Sequence, residues 1–406
     1  MLKKTLGLAA FAAALVCSAA FAQQKPMNVK IGVLTDMASL YADDTGQGSV
    51  AAAKLAAEDF MKSHPNVKVE IVSADHQNKP DVATGIASHW FDVDHVDMIT
   101  DVPTSSVALA LMPLAAQKNK ALIYSGPGSS DITGPKCNAN TVHWTYDTWM
   151  LANGTGKAIV KNGGDTWFFI TADYAFGHAL ERDTAAVVEK TGGKVLGKVR
   201  APINTSDFSS FLLQAQASKA KIIGLANAGG DTINAIKQGA EFGIVAGGQK
   251  FAGLLIFAPD IQALGLKAAQ GLMFTETFYW DMNDGTRAWT KRWDKERNAP
   301  GKLPSMNHAG VYAGTMAYLE AAVAVGGTQD GKAVVDKMKT MTFKDPLFGT
   351  TTVRVDGRGI HNAYLFEVKK PEESKYPGDL YKLRATIPAD EAFRPLKDGN
   401  CPLVKG

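Results

Sequence analysis

NVKIGVLTD, residues 28–36, begins the alternation of strands and helices that decides the fold. Its β-branched and apolar residues predict a buried strand, and the Ala-rich segment at 47–63 predicts an amphipathic helix after it. Further strands are predicted at 67–75, 96–100 and 121–125, each followed by a helical segment or a turn. Such an alternation is typical of a parallel, doubly wound sheet.

A second series of the same kind starts after Trp149, so we predict an α/β protein with two doubly wound parallel sheets. About 384 residues would remain after removal of a signal peptide, which is too many for one ordinary core. Past residue 280 the pattern changes to two helices and then to three more strands. The predicted strands are at 165–173, 194–202, 221–227, 250–257, 350–355, 361–369 and 380–387, and the helices at 176–190, 207–218, 231–241, 285–298 and 306–325.

Residues 1–22 have the features of a secretory signal peptide. Lys3 and Lys4 precede an apolar run, and Ala-Phe-Ala at 20–22 is a cleavage site, so we expect cleavage after Ala22 and a periplasmic mature protein. No later segment reaches ~18 consecutive apolar residues, and we therefore expect no membrane span in the mature chain.

The charge and the cysteines narrow the possible partners. Two of the 43 basic residues leave with the signal peptide, and the remaining 41 nearly balance 40 acidic residues. This balance argues against nucleic acid or an anionic membrane as a partner. Cys17 also leaves with the signal, and the bulky Val16 before it disfavours lipidation. Cys137 and Cys401 remain in an oxidising compartment, which favours a disulfide, with two buried thiols as the alternative.

YSGPGSSDIT, residues 124–133, is the segment most suggestive of a binding site. It follows a predicted strand, and ligands of open parallel sheets bind outside the carboxyl ends of the strands. Glycines and serines at such a turn offer backbone N–H groups that favour an anion without a lysine. The alternative is a simple tight turn with a helix cap at Ser129 or Ser130.

Motifs for enzymatic chemistry are weak, and we expect no cofactor and no metal site. The Gly46-x-Gly48-x-x-Ala51 pattern lies some ten residues after its strand, too far for a dinucleotide fingerprint. The acidic run from Asp92 to Asp97 joins a helix to a strand, away from the predicted ligand edge, and is interpreted as a solvated connector. His308, at a predicted helix start, either lines a cleft or is a satisfied core or surface residue.

The order of these segments resembles the periplasmic branched-chain amino-acid-type solute-binding proteins of ABC transporters. KIGVLTDMASLYADDTGQGSVAAAKLAAEDF (30–60), TDVPTSSVALA (100–110), ALIYSGPGSSDIT (121–133) and ITADYAFGHAL (170–180) are similar to that family's strands and ligand loops, and the resemblance covers the whole mature chain. It implies the type I periplasmic binding fold, in which two lobes joined by a hinge with three crossings close over a ligand.

The resemblance also implies a division of the chain into lobes. We place the crossings near Asp147, Thr275 and Thr350. Lobe one would comprise residues 27–146 plus 276–349, and lobe two would comprise 147–275 plus 350–406. The expected partner is a membrane permease, and a monomer is expected because this mode of action needs no oligomer.

In the family, the two matching loops of lobe one hold the ligand's carboxylate. This implies hydroxyl donors at Thr104 or Ser105 and backbone N–H donors at Gly126, Gly128 and Ser129. Amino-acid-binding relatives also place an acid after the fourth strand of lobe two, and here that position falls on or near Leu255. A buried ammonium without a carboxylate partner is strongly disfavoured. Asp173, Asp231 or Glu276 could substitute, and no spacing argument selects one of them.

The other cleft candidates are mostly aromatic. Aromatic walls give large contact area, and a phenol oxygen can satisfy a polar ligand tip. The leading hypothesis is therefore an aromatic acid such as a benzoate; branched-chain or other amino acids come second, and small amides or urea third. Each candidate could instead belong to the core, and Asn227 could simply form a turn. The candidates are Tyr41, Tyr146, Tyr174, Phe176, Tyr279 and Asn227.

Three classes of function fit these observations. The first is a binding protein that delivers a solute to a permease without turnover. The second is a receptor component that uses the same fold for sensing, and the third is a secreted enzyme such as an amidase or dehydrogenase. The sequence offers no docking motif that separates the first two, and its motifs give the third little support.

Overall fold

The computed structural model describes residues 26–405, and the predicted signal peptide and Cys17 lie outside these described residues. Strands and helices alternate as predicted through the first two thirds of the chain. The strands are β1 (Met27–Thr35), β2 (Val67–Asp75), β3 (Met98–Asp101), β4 (Ala121–Tyr124), β5 (Thr141–His143), β6 (Thr166–Ala172), β7 (Lys194–Ala201), β8 (Ile222–Ala226), β9 (Lys250–Gly253), β10 (Met273–Glu276), β11 (Thr342–Asp345), β12 (Gly349–Val353), β13 (Gly359–Ile360), β14 (Ala363–Val368) and β15 (Tyr381–Ile387).

Most helices follow a strand and cover a face of a sheet. A π-helical turn at Ala152–Gly156 joins α4 to α5, and short 3₁₀ turns lie at Ser130–Thr133, Pro371–Glu373 and Leu396–Asp398. The helices are α1 (Gly46–Ser63), α2 (Pro80–Asp92), α3 (Ser105–Gln117), α4 (Thr148–Leu151), α5 (Lys157–Lys161), α6 (Ala175–Lys190), α7 (Ser209–Ala217), α8 (Gly230–Glu241), α9 (Ala258–Leu264), α10 (Leu266–Ala269), α11 (Asp284–Arg297), α12 (Met306–Val325), α13 (Gly331–Met338) and α14 (Ala389–Ala392). No helix of residues 26–405 is long and apolar enough to cross a membrane.

Two parallel sheets confirm the predicted fold class. The first has the order β2-β1-β3-β4-β5, and the second has the order β7-β6-β8-β9. Every residue of β3 and of β8 is buried, because helices cover both faces of a doubly wound sheet. In each sheet the chain reverses direction of winding beside the first strand, which is where such folds place their ligands.

Two small antiparallel sheets complete the described fold. β10, β14 and β15 form one, and β11, β12 and β13 form the other. The second small sheet attaches to the first parallel sheet, since the His143 N–H donates to the Gly357 carbonyl at 2.8 Å and His143 bridges to Arg358. Drawn by strand pairing, the third crossing would fall at residues 361–362 rather than near Thr350, and β12 would then belong with lobe one. The lobe boundaries remain a proposal.

The predicted disulfide is present between Cys137 and Cys401, which are 264 residues apart in the sequence. It ties the C-terminal tail to the loop that follows β4. Arg394 strengthens the same connection, because its Nη2 donates to the Ser130 carbonyl at 2.9 Å. The tail thus closes a very long loop of chain, which limits the freedom of the unfolded state.

Replacing Cys137 and Cys401 together by serine is expected to lower the free energy of unfolding by about 2–4 kcal/mol, because the unfolded chain regains the freedom that the cross-link removes. Urea denaturation measures the effect as a lower midpoint. Treating the parent protein with a reductant should give the same midpoint as the double variant. Equal midpoints for the parent and the variant, with the bond verified by mass spectrometry, would contradict this expectation.

Candidate functional site

A small cavity lies between the carboxyl edges of the two parallel sheets, where the sequence predicted the ligand. Its volume is about 10 Å³, which is space for about one water molecule. The two sheets therefore close on each other, and a ligand enters only if the lobes separate. The lining residues are Tyr41, Asp44, Thr45, Pro103, Gly126, Tyr146, Tyr174, Phe176, Ala228, Leu255, Phe257 and Asn307.

Two hydrogen bonds join the lobes across the mouth of this cavity. The hydroxyl groups of Tyr41 and Tyr174 lie 2.6 Å apart, and either can donate. Beside them, the Gly230 N–H donates to the Leu40 carbonyl at 3.3 Å. One phenol proton of the tyrosine pair remains free for another acceptor, because a single hydrogen bond between two hydroxyl groups uses only one of their protons.

Aromatic side chains form most of the cavity wall. The Tyr146 hydroxyl donates to the Gly126 carbonyl at 2.7 Å, and its ring meets that of Phe257 edge to face with centroids 6.4 Å apart. A Cβ atom on Gly128 would lie 2.8 Å from the Phe176 ring and 2.9 Å from the Tyr146 ring. Glycine is therefore required at position 128 so that the backbone can pack against these rings.

The carboxylate cradle implied by the family resemblance is filled by the protein's own groups. The N–H groups of Gly128 and Ser129 donate to Ser105 Oγ at 3.2 and 3.1 Å, and the Gly126 N–H donates to the Asp101 carbonyl. The Thr104 hydroxyl donates to Asn78 Oδ1. The predicted cradle donors are therefore hydrogen-bonded to other groups of the protein and do not form an open cradle. Of these residues, Gly126 lines the cavity. Ser129 also caps the following 3₁₀ turn, as the alternative interpretation expected.

Three long helices instead begin at the cavity without a side-chain cap. The N-cap residues Thr45 of α1, Thr104 of α3 and Tyr174 of α6 accept no hydrogen bond from the first turn through their side chains. Thr45, Tyr174 and Pro103, which precedes Thr104, line the cavity. α2, α7 and α8 also lack a side-chain cap, whereas Asn283, Ser305 and Asp330 cap α11, α12 and α13. Uncapped first-turn N–H groups and the helix dipoles favour an anion.

The backbone turns sharply where β3 reaches the cavity. Asp101 and Val102 have φ values of +74° and +59°, a left-handed conformation that is unusual for a β-branched residue. This turn places Pro103 against the cavity and starts α3 beside it. Burial raises the pKa of Asp101 to about 7, and hydrogen bonds from neighbouring hydroxyl groups oppose this rise. Such strain is frequent at functional sites.

The acids proposed as substitutes for an ammonium partner do not line the cavity. Asp173 is exposed and bonds to His178 at 2.7 Å. Asp231 accepts the Asn204 N–H at 3.1 Å on the outer side of the cleft, and Glu276 lies in the core near Tyr381. Leu255 does line the cavity and is 3% exposed, so an apolar residue stands at the place where relatives were expected to carry an acid.

Asp44 is the carboxyl group that the sequence reasoning missed. It lines the cavity, it is 1% exposed, and its Oδ1 has no hydrogen-bond partner. Burial raises its pKa well above the usual range, and Asp260, Asp43 and Glu276 raise it further, while Arg297 acts in the opposite direction. This environment disfavours the charged form of the Asp44 carboxyl group.

Two other predicted site residues lie behind the cavity. Tyr279 is buried in the core, where its ring stacks on that of Tyr381 with the centroids 4.3 Å apart and its hydroxyl donates to the Gly378 carbonyl at 2.6 Å. It does not line the cavity, because the chain after β10 turns inward there. Asn227 accepts from Thr232 at 2.7 Å, and its Nδ2 is buried without a partner next to the cavity residue Ala228.

His308 is a satisfied core residue. Its Nε2 donates to the Thr45 carbonyl at 2.9 Å, and its Nδ1 accepts the Ser305 N–H at 3.0 Å. Burial lowers its pKa to about 3, so the ring is neutral. In the Asp92–Asp97 run, Asp92 pairs with Lys118 and Asp97 accepts the Thr328 hydroxyl. Among residues 26–405, no group of three or more acidic, His or Cys side chains is placed to hold a metal ion.

Some of the missed lining residues carry a recognisable signal. Ala228 and Phe257 follow strands β8 and β9, so the strand-end rule selects their neighbourhoods. Asp44 and Thr45 lie late in the loop after β1. Asn307 lies at the start of α12, which follows no parallel strand, and only the packing of α12 beside α1 brings it to the cavity.

Comparison with known proteins supports a single family. A family model described as "Periplasmic binding protein" matches residues 28–375. A periplasmic binding protein from Burkholderia mallei is 48% identical with a TM-score of 0.89, covering 93% of this chain and 100% of that chain. A branched-chain amino acid ABC transporter periplasmic ligand-binding protein from Burkholderia xenovorans is 39% identical with a TM-score of 0.81, covering 92% and 99%.

A more distant structure shows the fold alone. It is an ABC transporter solute-binding protein from R. palustris in complex with 4-hydroxybenzoate, 22% identical with a TM-score of 0.81. The alignment covers 89% of this chain and 97% of that chain.

A groove of about 650 Å³ outside the cavity contains carboxyl groups from both lobes, Asp43 and Asp44 on one side and Asp231 and Asp260 on the other. Burial raises the pKa of Asp260 to about 7, partly opposed by the Phe257 N–H that its Oδ2 accepts at 3.0 Å. A folded-state pKa raised above the ordinary 3.8 means that this group's contribution to stability is full below about pH 4 and is lost as the pH rises through 7.

Asp260→Asn is therefore expected to raise the melting temperature at pH 8 by a few degrees and to change it little at pH 4. Asparagine keeps an acceptor for the Phe257 N–H, so the change removes the charge and retains the cap. Calorimetry at both pH values measures the effect, with the exposed variant Asp390→Asn as the control. A lower melting temperature at both pH values would show that the carboxylate is needed in its charged form.

Proposed function

The chain belongs to the periplasmic binding protein family, and from this premise we propose that its cleft captures a small carboxylate, with an aromatic acid as the favoured ligand. The family membership makes the protein the solute-binding component of an ABC transporter and implies a periplasmic location. It acts by hinge closure over its solute, which it passes to a membrane permease. We propose that it does so as a monomer after cleavage at Ala22.

The uncapped helix N-termini at an aromatic cavity carry this proposal. α1, α3 and α6 begin beside the same space with first-turn N–H groups that lack an N-cap side chain, although the Gly46 N–H of α1 donates to Thr35 Oγ1 at 3.0 Å, and the positive dipole ends of the three helices favour an anion there. A carboxylate satisfies these groups without a lysine or arginine, and none lines the cavity. Ser105 is the first residue of α3, and its hydroxyl oxygen accepts two N–H groups, which polarises the hydroxyl proton for donation to an anion.

The opposite part of the cavity favours an aromatic ring. Tyr174, Phe176 and Phe257 from lobe two face Tyr41 and Tyr146 from lobe one. Rings stack and meet edge to face with a favourable energy of about 0.5–1.5 kcal/mol per pair beyond the burial of their area. Separation of the lobes breaks the contacts between these two aromatic walls. A planar ring bound between the walls then replaces those contacts with its own.

The absence of a charged partner for an ammonium group argues in the same direction. Leu255 stands where an acid was expected, and burial and neighbouring acids raise the pKa of Asp44 and so disfavour its charged form. The R. palustris protein shows that the fold accommodates an aromatic acid. The name of the B. xenovorans protein supports the second candidate, a branched-chain amino acid, whose ammonium group would have to ionise Asp44.

We expect benzoate-type acids to raise the melting temperature of the protein comprising residues 23–406, because a ligand that binds only the folded state stabilises it in proportion to its concentration over Kd. A thermal-shift panel of aromatic acids, aliphatic acids, amino acids and small amides measures this. Stabilisation by leucine without stabilisation by aromatic acids would replace the aromatic acid with an amino acid as the ligand. Turnover of any of these compounds would instead support an enzyme.

Tyr41→Ala and Tyr174→Ala are each expected to weaken binding about tenfold or more while the protein stays folded, since each loses ring contact and the interlobe hydrogen bond. Calorimetric titration with the stabilising ligand measures the loss. Tyr279→Phe is the matched control, because this tyrosine lies in the core outside the cavity and should bind normally. Unchanged affinity in both alanine variants would move the site away from the cavity.

A further inference from the structure

One corner of the cavity contains two buried acceptor atoms without partners. Asp44 Oδ1 and Asn307 Oδ1 form no hydrogen bond, although these residues are only 1% and 2% exposed. Both residues line the cavity. Buried polar atoms without a partner are rare and costly in folded proteins, so each of these atoms calls for an explanation.

Ser305 fixes these two residues next to each other. Its Oγ donates to the Asp44 backbone carbonyl at 2.6 Å and accepts the Asn307 N–H at 3.1 Å. The end of the β1–α1 loop and the first turn of α12 are thereby joined through one hydroxyl group. The backbones of Asp44 and Asn307 have structural partners, whereas Asp44 Oδ1 and Asn307 Oδ1 remain available to a molecule in the cavity.

This corner differs in chemistry from the rest of the cavity. The helix N-termini of α1, α3 and α6 supply donors, and the rings supply apolar surface, but Asp44 Oδ1 and Asn307 Oδ1 are acceptors. A simple benzoate satisfies the donors and the rings and has no donor for this corner. A ligand that fills the whole cavity carries a hydrogen-bond donor in addition to its carboxylate.

We propose that Asp44 and Asn307 form a specificity subsite for a hydrogen-bond-donating substituent, foremost a ring hydroxyl group, on the carboxylate ligand. This inference rests on the proposed function and narrows its substrate class to hydroxy-substituted aromatic acids. A hydroxyl group can donate its proton to Asn307 Oδ1 or to Asp44 Oδ1. An ammonium group offers the same donor chemistry from a different ligand class, and it needs Asp44 to be charged.

The environment of Asp44 favours the hydroxyl group over the ammonium. Asp260, Asp43 and Glu276 all disfavour a negative charge on Asp44, whereas Arg297 favours one. Desolvation acts with the three acids. A neutral hydroxyl group can donate to Asp44 Oδ1 without bringing a further charge into the buried corner.

The test compares ligands that differ by the donor alone. Calorimetric titration is performed with 4-hydroxybenzoate, benzoate and 4-methoxybenzoate, whose ether oxygen keeps the size and removes the proton. A second pair, leucine and 4-methylpentanoate, differs by the ammonium group. The proteins are the parent, Asn307→Leu, Asp44→Leu and Asp44→Asn, with Asp43→Asn as the control because Asp43 lines the outer groove and not the cavity. Melting temperatures establish that each variant is folded.

The subsite predicts that the parent and Asp43→Asn prefer 4-hydroxybenzoate over both analogues about 5- to 10-fold, the value of one net hydrogen bond. Asn307→Leu and Asp44→Leu should reduce this preference to about 1, whereas Asp44→Asn should retain it because an amide still accepts from a hydroxyl. Either leucine variant suffices if the other fails to fold.

Other outcomes are equally decisive. Binding of the carboxylates with no preference for the donor, or a preference that survives both leucine variants, overturns the subsite and leaves the carboxylate function intact. A preference for leucine over 4-methylpentanoate that Asp44→Asn abolishes supports the subsite with an ammonium occupant and overturns the aromatic-acid assignment. Failure of all five compounds to bind the parent overturns both the function and the subsite.

Discussion

A single buried guanidinium group holds together the segments on which the two lobes turn. Arg358 is fully buried, and its Nη1 donates to the Tyr146 carbonyl at 2.7 Å and lies 3.5 Å from Asp147 Oδ2. The guanidinium carbon Cζ of Arg358 lies over the Phe393 ring, 4.7 Å from its centroid. A buried cation is tolerated only when it is paired and hydrogen-bonded, so the first crossing, the segment after β12 and the C-terminal tail must meet here. The disulfide then secures the tail.

The same arrangement positions the cavity. Arg358 holds the carbonyl of Tyr146, and the phenol of that residue holds Gly126 at the end of β4, so the hinge and one cavity wall share a residue. In the proposed hinge motion, opening of the lobes would break the hydrogen bond between Tyr41 and Tyr174, while Tyr146 would stay beside the hinge. A ligand that enters replaces contacts between the two walls by contacts with itself. A ligand shifts the equilibrium toward the closed form only by as much as it binds the closed form more tightly than the open form.

The strand–helix alternation predicted both parallel sheets, because buried strands and amphipathic helices have distinct periodicities. The strand-end rule selected Tyr41, Gly126, Tyr174 and Phe176 as cavity residues. Neither the alternation nor the strand-end rule locates the third crossing of the hinge. That crossing depends on the pairing of β10 with β14, which are almost ninety residues apart, and a hydrophobic pattern does not encode which strands pair. β9 also ends at Gly253, four residues early, and the chain then reaches Phe257 as a loop.

The details of the site depended on geometry that residue types do not reveal. The left-handed backbone at Asp101 and Val102 brings Ser105 Oγ to the N–H groups of the predicted cradle. The pairing of Asp44 with Asn307 arises from the packing of α1 beside α12, across more than 260 positions of sequence. Polar residues in a ligand loop can thus be anticipated, whereas the partner of each polar group emerges only in three dimensions.

A crystal structure of the protein with 4-hydroxybenzoate tests the central claim most directly. The account predicts that the ring lies between Tyr146 and the Phe176–Phe257 wall, with its carboxylate oxygens within hydrogen-bonding distance of first-turn N–H groups of α3 or α6. It would be contradicted by a ligand bound outside the space between the lobes, or by a carboxylate held without contact to any of the uncapped helix N-termini.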